Sequence, residues 1–86
     1  MTYKENLEII YKDVILLAVT TYRKHQSITL DEAIEWINKR HPELLSPYKG
    51  FNGVIQAAYN RAQDEEAQKA IKTVFTHYDG TPVWEK

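Results

Sequence analysis

Hydrophobic residues in the first quarter of the chain recur at steps of three and four, which is the period of an α-helix. This pattern predicts a first helix over residues 4–23. One apolar stripe contains Leu7, Ile10, Val14, Leu17, Ala18 and Thr21. A second set widens that stripe and contains Ile9, Tyr11, Ile15, Leu16, Val19 and Tyr22. A helix this apolar is expected either to be central to the core or to bury a second face against a partner or a second copy.

A capping signal marks the start of the second predicted helix. Thr29 is followed three residues later by Glu32, the spacing of a capping box, in which each side chain satisfies the other residue's backbone N–H. The helix is predicted over residues 29–40, and Pro42 disfavours its continuation. Residues 27–29, which lead into it, form a short strand candidate.

A third helix is predicted over residues 46–63, because Ser46 suits the cap position and Pro47 suits the first helical position. Gly50 and Gly53 weaken its first turns by roughly 1 kcal/mol each relative to alanine. A start nearer residue 51 is therefore the alternative.

Residues 64–70 are predicted to continue helical after a break near Asp64. Asp64, Glu65 and Glu66 are adjacent on that helix and point apart, so they do not form a catalytic pair of carboxylates. Two interpretations stay open: these acids cap the following helix, or they repel nucleic acid.

The C-terminal segment has the pattern of a β-hairpin. Apolar, β-branched and aromatic residues dominate its first half, namely Ile71, Thr73, Val74, Phe75 and Thr76. Asp79-Gly80 is typical of a two-residue type I′ turn, which needs positive φ at both positions. With that loop, Phe75 opposes Trp84 and Thr76 opposes Val83, and the two aromatic rings are expected to cover the helices.

Size and composition indicate one soluble domain over residues 1–86. No cysteine is present, which excludes disulfides and thiolate metal sites. The apolar run at residues 14–19 is too short to cross a membrane, and residues 1–10 lack a basic signal region, so a cytoplasmic protein is predicted. Net charge is −1, yet residues 39–63 carry four cations and one carboxylate, a local basic bias of +3.

The order of helix, short strand, helix, helix and hairpin resembles the winged helix-turn-helix domains. The resemblance implies a mainly α fold of three helices with a short strand and a C-terminal two-stranded wing. It implies that residues 29–40 are the supporting helix, that residues 46–63 are a recognition helix in the major groove of DNA, and that the short strand pairs with the hairpin. The implied function is small regulatory DNA binding. Winged helices also act as protein-interaction modules, so that alternative stays open.

The candidate DNA contacts lie on the second and third predicted helices. They are Lys39, Arg40, Lys49, Asn52, Gln56, Asn60 and Arg61. Amide side chains can make bidentate contacts to adenine, whereas lysine and arginine can contact guanine or phosphate. The alternatives are an ordinary polar outer face for the amides, and a favourable interaction with the helix dipole for the cations at the end of the second helix.

The sequence does not indicate a metal site, a cofactor site or a catalytic site. His25, His41 and His77 are scattered, so no metal site or other cofactor is predicted, and no nucleophile or base motif suggests an enzyme. A homodimer or a protein partner is the other expectation, bound through the first helix or through Trp36.

Overall fold

A computed structural model describes residues 3–41 and 51–83 of the chain. The described chain is mainly helical and carries one small sheet. Its elements are α1 Tyr3–Arg23, β1 Ile28–Thr29, α2 Leu30–Arg40, α3 Phe51–Arg61, α4 Glu65–Val74 and β2 Phe75–Thr76.

The first helix is the centre of the fold, as the width of its apolar stripe suggested. Helix α1 packs most extensively against α4, then against α3 and α2. Ile10, Val14 and Ala18 on its inner face are fully buried. The predicted helix is confirmed, and of the two expectations for its apolar surface the central position is realised. Leu16, on the outer face, is 49% exposed.

The capping box is formed and explains where α2 begins. Thr29 Oγ1 accepts from the backbone N–H of Glu32 at 3.2 Å, and Glu32 Oε1 accepts from the backbone N–H of Thr29 at 3.1 Å. The helix ends at Arg40, and the backbone N–H of His41 still donates to Ile37 O at 2.9 Å. The second predicted helix is therefore confirmed at both ends.

Helix α3 is confirmed as the third helix, with Phe51 as its first residue in the described ranges. Its inner face buries Val54, Ile55 and Ala58. The start signal at Ser46-Pro47 lies outside the described residues, and the helix ends at Arg61, two positions before the predicted end.

The expected three-helix body is wrong, because residues 65–74 form a further helix that includes Ile71 and Val74. Asp64 caps this helix by accepting from the backbone N–H of Glu66 at 3.0 Å. Four apolar side chains then recur at helical spacing and are buried: Ala67, Ala70, Ile71 and Val74. The packing of this stripe against α1 outweighs the β propensity of the branched residues.

The strand pair is parallel and joins distant segments of the chain. Ile28 of β1 pairs with Phe75 of β2, and Thr29 pairs with Thr76. The expected two-stranded hairpin is therefore wrong as a description of this sheet. Phe75 is buried and does cover the helices, but its predicted partner Trp84 lies outside the described residues.

After β2 the chain does reverse, with a different loop and register from those predicted. An isolated antiparallel bridge joins Thr76 to Pro82, one position before the predicted Val83, and five residues lie between the two bridged positions. The backbone N–H of His77 donates to Thr81 O at 2.8 Å across the reversal. Gly80 is the loop residue with positive φ, at 91°, so the two-residue type I′ turn is wrong.

Side-chain chemistry explains why this reversal stays short. Asp79 Oδ1 accepts from the backbone N–H of Thr81 at 3.0 Å and from its hydroxyl at 2.7 Å. These hydrogen bonds hold the pKa of the Asp79 carboxyl below its usual range. Pro82 has no N–H to donate to a ladder. Tyr78 at the tip is 88% exposed.

Candidate nucleic-acid interface

The outer face of α3 is uncharged and polar. Gly53, Gln56 and Asn60 are all exposed, and their spacing of three and four residues places them on one side of the helix, opposite the buried Val54, Ile55 and Ala58. Asn52 belongs to the first turn of the same helix. The structure thus brings two of the predicted base-contacting amides together on one accessible surface.

Gly53 is unusual on that surface because the described fold does not require a glycine there. A Cβ placed on Gly53 meets nothing within 4 Å, and the residue does not have the positive φ that favours glycine. A glycine inside a helix costs about 1 kcal/mol relative to alanine. Glycine at this position lowers the stability of the helix but leaves the helix backbone accessible. Such access suits close contact with a ligand.

One lysine of α4 lies beside this face of α3, and a second is exposed one turn earlier on α4. Lys72 Nζ lies 5.0 Å from the ring centroid of Tyr59 on α3, so this cation is beside the outer face. Lys69 is exposed one turn earlier on the same helix. Neither lysine is among the site residues predicted from the sequence, because the position of Lys72 beside α3 depends on α4 being a helix.

Arg61, predicted to contact DNA, is instead directed towards α1. Its Nε donates to Glu8 Oε1 at 3.0 Å, and its guanidinium lies 4.3 Å from the ring centroid of Tyr11. Its Nη1 also donates to Ala57 O at 3.4 Å. These contacts give Arg61 a structural role in joining α3 to α1.

Arg40 has an equivalent structural role at the end of α2. Its Nε donates to Asp13 Oδ2 of α1 at 3.3 Å, and its guanidinium lies 4.8 Å from the ring centroid of Trp36. Asp13 Oδ2 is also 2.6 Å from His41 Nε2. The Asp13 side chain is only 10% exposed, so Arg40 and His41 both approach a carboxylate inside the fold. An isolated acid in the apolar run of α1 was the available sequence signal for this cluster.

Lys39 is less constrained than the two arginines. Lys39 Nζ is 3.6 Å from Glu35 Oε1, and both side chains are well exposed. Lys49 lies outside the described residues, so its role stays a prediction. Neither Lys39 nor Arg40 is brought to the outer face of α3 by the contacts just given.

Two of the acidic residues that follow α3, Asp64 and Glu66, make contacts within the fold. Asp64 caps α4, which confirms the capping interpretation. Glu66 accepts two hydrogen bonds from Arg23 of α1, at 2.7 and 3.2 Å. The hydrogen bond from Arg23 holds the pKa of the Glu66 carboxyl below its usual range.

Metal-ligand clusters and membrane-spanning helices are both absent from the described residues. Across residues 3–41 and 51–83, no three histidines or acids are gathered as metal ligands. Among the helices in these same ranges, none combines the length and the apolar character needed to cross a membrane.

Comparison of the chain with protein-family models, with curated proteins and with solved structures gives no match. A function therefore has to be sought in the surface that the chain itself presents. The outer face of α3 presents exposed amides and an open glycine, with Lys72 beside them.

Proposed function

We propose that the protein binds double-stranded DNA through the outer face of α3, in the manner of a winged helix-turn-helix regulator. The observation that supports this most directly is the pair of exposed amides, Gln56 and Asn60, beside the open backbone at Gly53. An amide side chain can donate to and accept from adenine in the major groove at once, which neither an apolar nor a singly charged side chain does.

The winged-helix assignment is part of the same proposal. The order of α1, β1, α2 and α3 supports it, and so does the chain reversal after β2 with Tyr78 exposed at its tip. Helix α4 is then an addition between the recognition helix and the wing. This addition supplies Lys69 and Lys72 for the DNA backbone.

Phosphate contacts in this proposal come from α4 more than from the predicted arginines. Arg61 and Arg40 are held by carboxylates of α1, and breaking such ion pairs to reach a phosphate would cost free energy. Lys69 is exposed on α4 and Lys72 lies over the Tyr59 ring beside the outer face, so in this proposal both contact the DNA backbone on that side of α3. A small number of phosphate contacts agrees with a net charge of −1.

Fluorescence anisotropy with labelled random duplexes, across a series of salt concentrations, tests the proposal. We expect binding at low salt with a slope of log K against log salt of roughly −2 to −4, the value for a few phosphate contacts. Lys69→Ala combined with Lys72→Ala should make the slope shallower by about two. Lys12→Ala removes an exposed lysine of α1 and is the matched control, expected to leave the slope unchanged.

The amides are tested by selection of preferred sequences from a random pool. Gln56→Ala with Asn60→Ala should relax base preference while leaving the salt slope intact, because amides carry no charge. Absence of binding at low salt, or an unchanged preference in the amide variant, contradicts the proposal.

A second candidate function is protein interaction through α1. The observation that favours it is the outer face of this helix, where Leu16 is 49% exposed and Ile9 and Val19 are partly exposed at helical spacing. Analytical ultracentrifugation at micromolar concentration, with Leu16→Glu as the comparison, would show self-association that the variant abolishes. A strict monomer at all concentrations counts against self-association through this face.

A further inference from the structure

The chain reversal after β2 presents the dipeptide Asp79-Gly80, and residues 78–82 are all exposed. An aspartate followed by glycine is the aspartyl sequence most prone to isoaspartate formation in flexible chains. The backbone nitrogen of the glycine attacks the side-chain carbon of the aspartate, and glycine has no Cβ to hinder that approach. The chemistry of this pair therefore depends on how the turn holds the two reacting groups.

The modification is a rearrangement of the chain itself. The Gly80 nitrogen forms a bond to Cγ of Asp79, and one carboxyl oxygen leaves as water with the proton of that nitrogen and the proton of the carboxyl group. The product is a five-membered succinimide ring. Water then adds to the main-chain carbonyl of Asp79 and breaks its bond to the nitrogen, so the chain continues through Cγ as isoaspartate. The water lost in the first step is regained in the second, and no other reactant is needed.

The fold engages both reacting groups in other hydrogen bonds. Oδ1 of Asp79 accepts from the backbone N–H of Thr81 at 3.0 Å and from its hydroxyl at 2.7 Å. The backbone N–H of Gly80 donates to His77 O at 2.9 Å. Attack of the nitrogen on Cγ therefore requires the turn to open and these hydrogen bonds to break.

Thr81 also affects the ionisation of the group that is attacked. The succinimide forms from the protonated carboxyl, because an ionised carboxylate resists a nucleophile. The hydroxyl of Thr81, and after it the backbone N–H, hold the pKa of the Asp79 carboxyl below its usual range, and the nearby His77 acts in the same direction. At mildly acidic pH the reactive protonated form is therefore scarcer in the folded protein than in an unfolded chain.

We propose that Asp79-Gly80 is a latent isoaspartate site that the folded turn protects, and that the hydroxyl of Thr81 is the main protecting group. The site reacts when the turn opens or when the hydroxyl is removed. Isoaspartate adds one carbon atom to the main chain, which is incompatible with the present hydrogen bond from His77 N–H to Thr81 O. Modification of one residue would thus disrupt the reversal that carries Tyr78. The proposal does not depend on DNA binding.

The test is a time course of isoaspartate formation in the full chain, at mildly acidic pH and below the unfolding temperature. Tryptic cleavage after Lys72 releases residues 73–86, which separates the product at Asp79 from any product at Asn52-Gly53. Electron-transfer fragmentation distinguishes isoaspartate from aspartate in this peptide. A capped peptide of residues 77–82 and the urea-unfolded protein are the unprotected references. We expect the folded protein to react roughly ten- to thirtyfold more slowly than both, the factor for two hydrogen bonds that have to break.

The decisive variant is Thr81→Val, which keeps the shape of the side chain and removes the hydroxyl. It should accelerate the reaction of the folded protein about fivefold, the factor for one lost hydrogen bond, and leave the rate in urea unchanged. Thr81→Ser retains a hydroxyl and should stay protected. Thr20→Val, at an exposed position of α1, is the matched control and should react as the unmodified protein does. Amide NMR spectra establish that each variant is folded.

The site itself is identified with Asp79→Glu, because the longer side chain cannot close the five-membered ring and should give no product. Either of two results overturns the proposal. Reaction of the folded protein at the rate of the short peptide would mean that the turn gives no protection. Reaction of folded Thr81→Val at the rate of the unmodified protein would mean that the hydroxyl is not the protecting group.

Discussion

Replacing Gly53 with alanine is expected to have opposite effects on stability and on DNA binding. Gly53 lies in the first turn of α3, is exposed, and leaves open space where a Cβ would stand. A glycine inside a helix costs about 0.8–1.0 kcal/mol relative to alanine, and less near a helix end. Gly53→Ala should therefore raise the free energy of unfolding by about 0.5 kcal/mol.

The stability effect is measurable by thermal unfolding. For a domain of this size, 1 kcal/mol shifts Tm by about 4–8 °C, so Gly53→Ala should raise Tm by roughly 2–4 °C. In the anisotropy assay the same methyl group should weaken DNA binding, because it occupies the space through which the helix backbone meets the duplex. Nothing in the described fold opposes the added methyl group.

Thr73→Ala is the matched control for this experiment. Thr73 is exposed on α4 and, like Gly53, is a poor helix former replaced by the best one. It should gain stability and bind DNA as the unmodified protein does. A lower Tm for Gly53→Ala would refute the reasoning about open space, and unchanged DNA affinity would refute a role for this glycine in the interface.

Three further predictions concern the fold itself. Thr73→Ala should stabilise the protein by about 0.5 kcal/mol in urea unfolding if residues 65–74 are helical, whereas loss of stability would indicate the strand predicted from the sequence. Asp13→Asn should lower the free energy of unfolding by about 1–3 kcal/mol, because Arg40 and His41 lose a nearly buried carboxylate, and a neutral result would contradict that role. Glu66→Gln should reduce stability at pH 7. The folded pKa of Glu66 is lowered by Arg23, so this contribution is present above the unfolded value of 4.5 and disappears as pH falls through the folded pKa. If Glu66→Gln and the unmodified protein still differ in stability at pH 2–3, the pairing of Glu66 with Arg23 is contradicted.

Local signals were sufficient for the first two helices. The capping box at Thr29 and Glu32 is contained in four residues, and the stripe of α1 is long enough for its period to be unambiguous. The third helix was predicted as well, and the exposure of Gln56 and Asn60 agrees with a polar outer face for its amides.

Contacts between residues distant in sequence determine the features that local sequence signals could not predict. Ile71 and Val74 fit a strand by propensity and a helix by spacing, and burial against α1 selects the helix. For the same reason the position of Lys72 beside Tyr59 could not be predicted, because it depends on α4 being a helix. Arg61 was expected to contact DNA because it is a cation on the predicted recognition helix. Its pairing with Glu8 was missed because the two residues are distant in sequence.

The pairing of β1 with β2 has a consequence for how the chain folds during synthesis. The main packing partner of α1 is α4, and β1 finds its strand partner only at residues 75–76. The apolar side of the first helix therefore lacks its principal cover until residues 65–76 have left the ribosome. A fragment that stops before α4 would expose this surface to aggregation and to proteases.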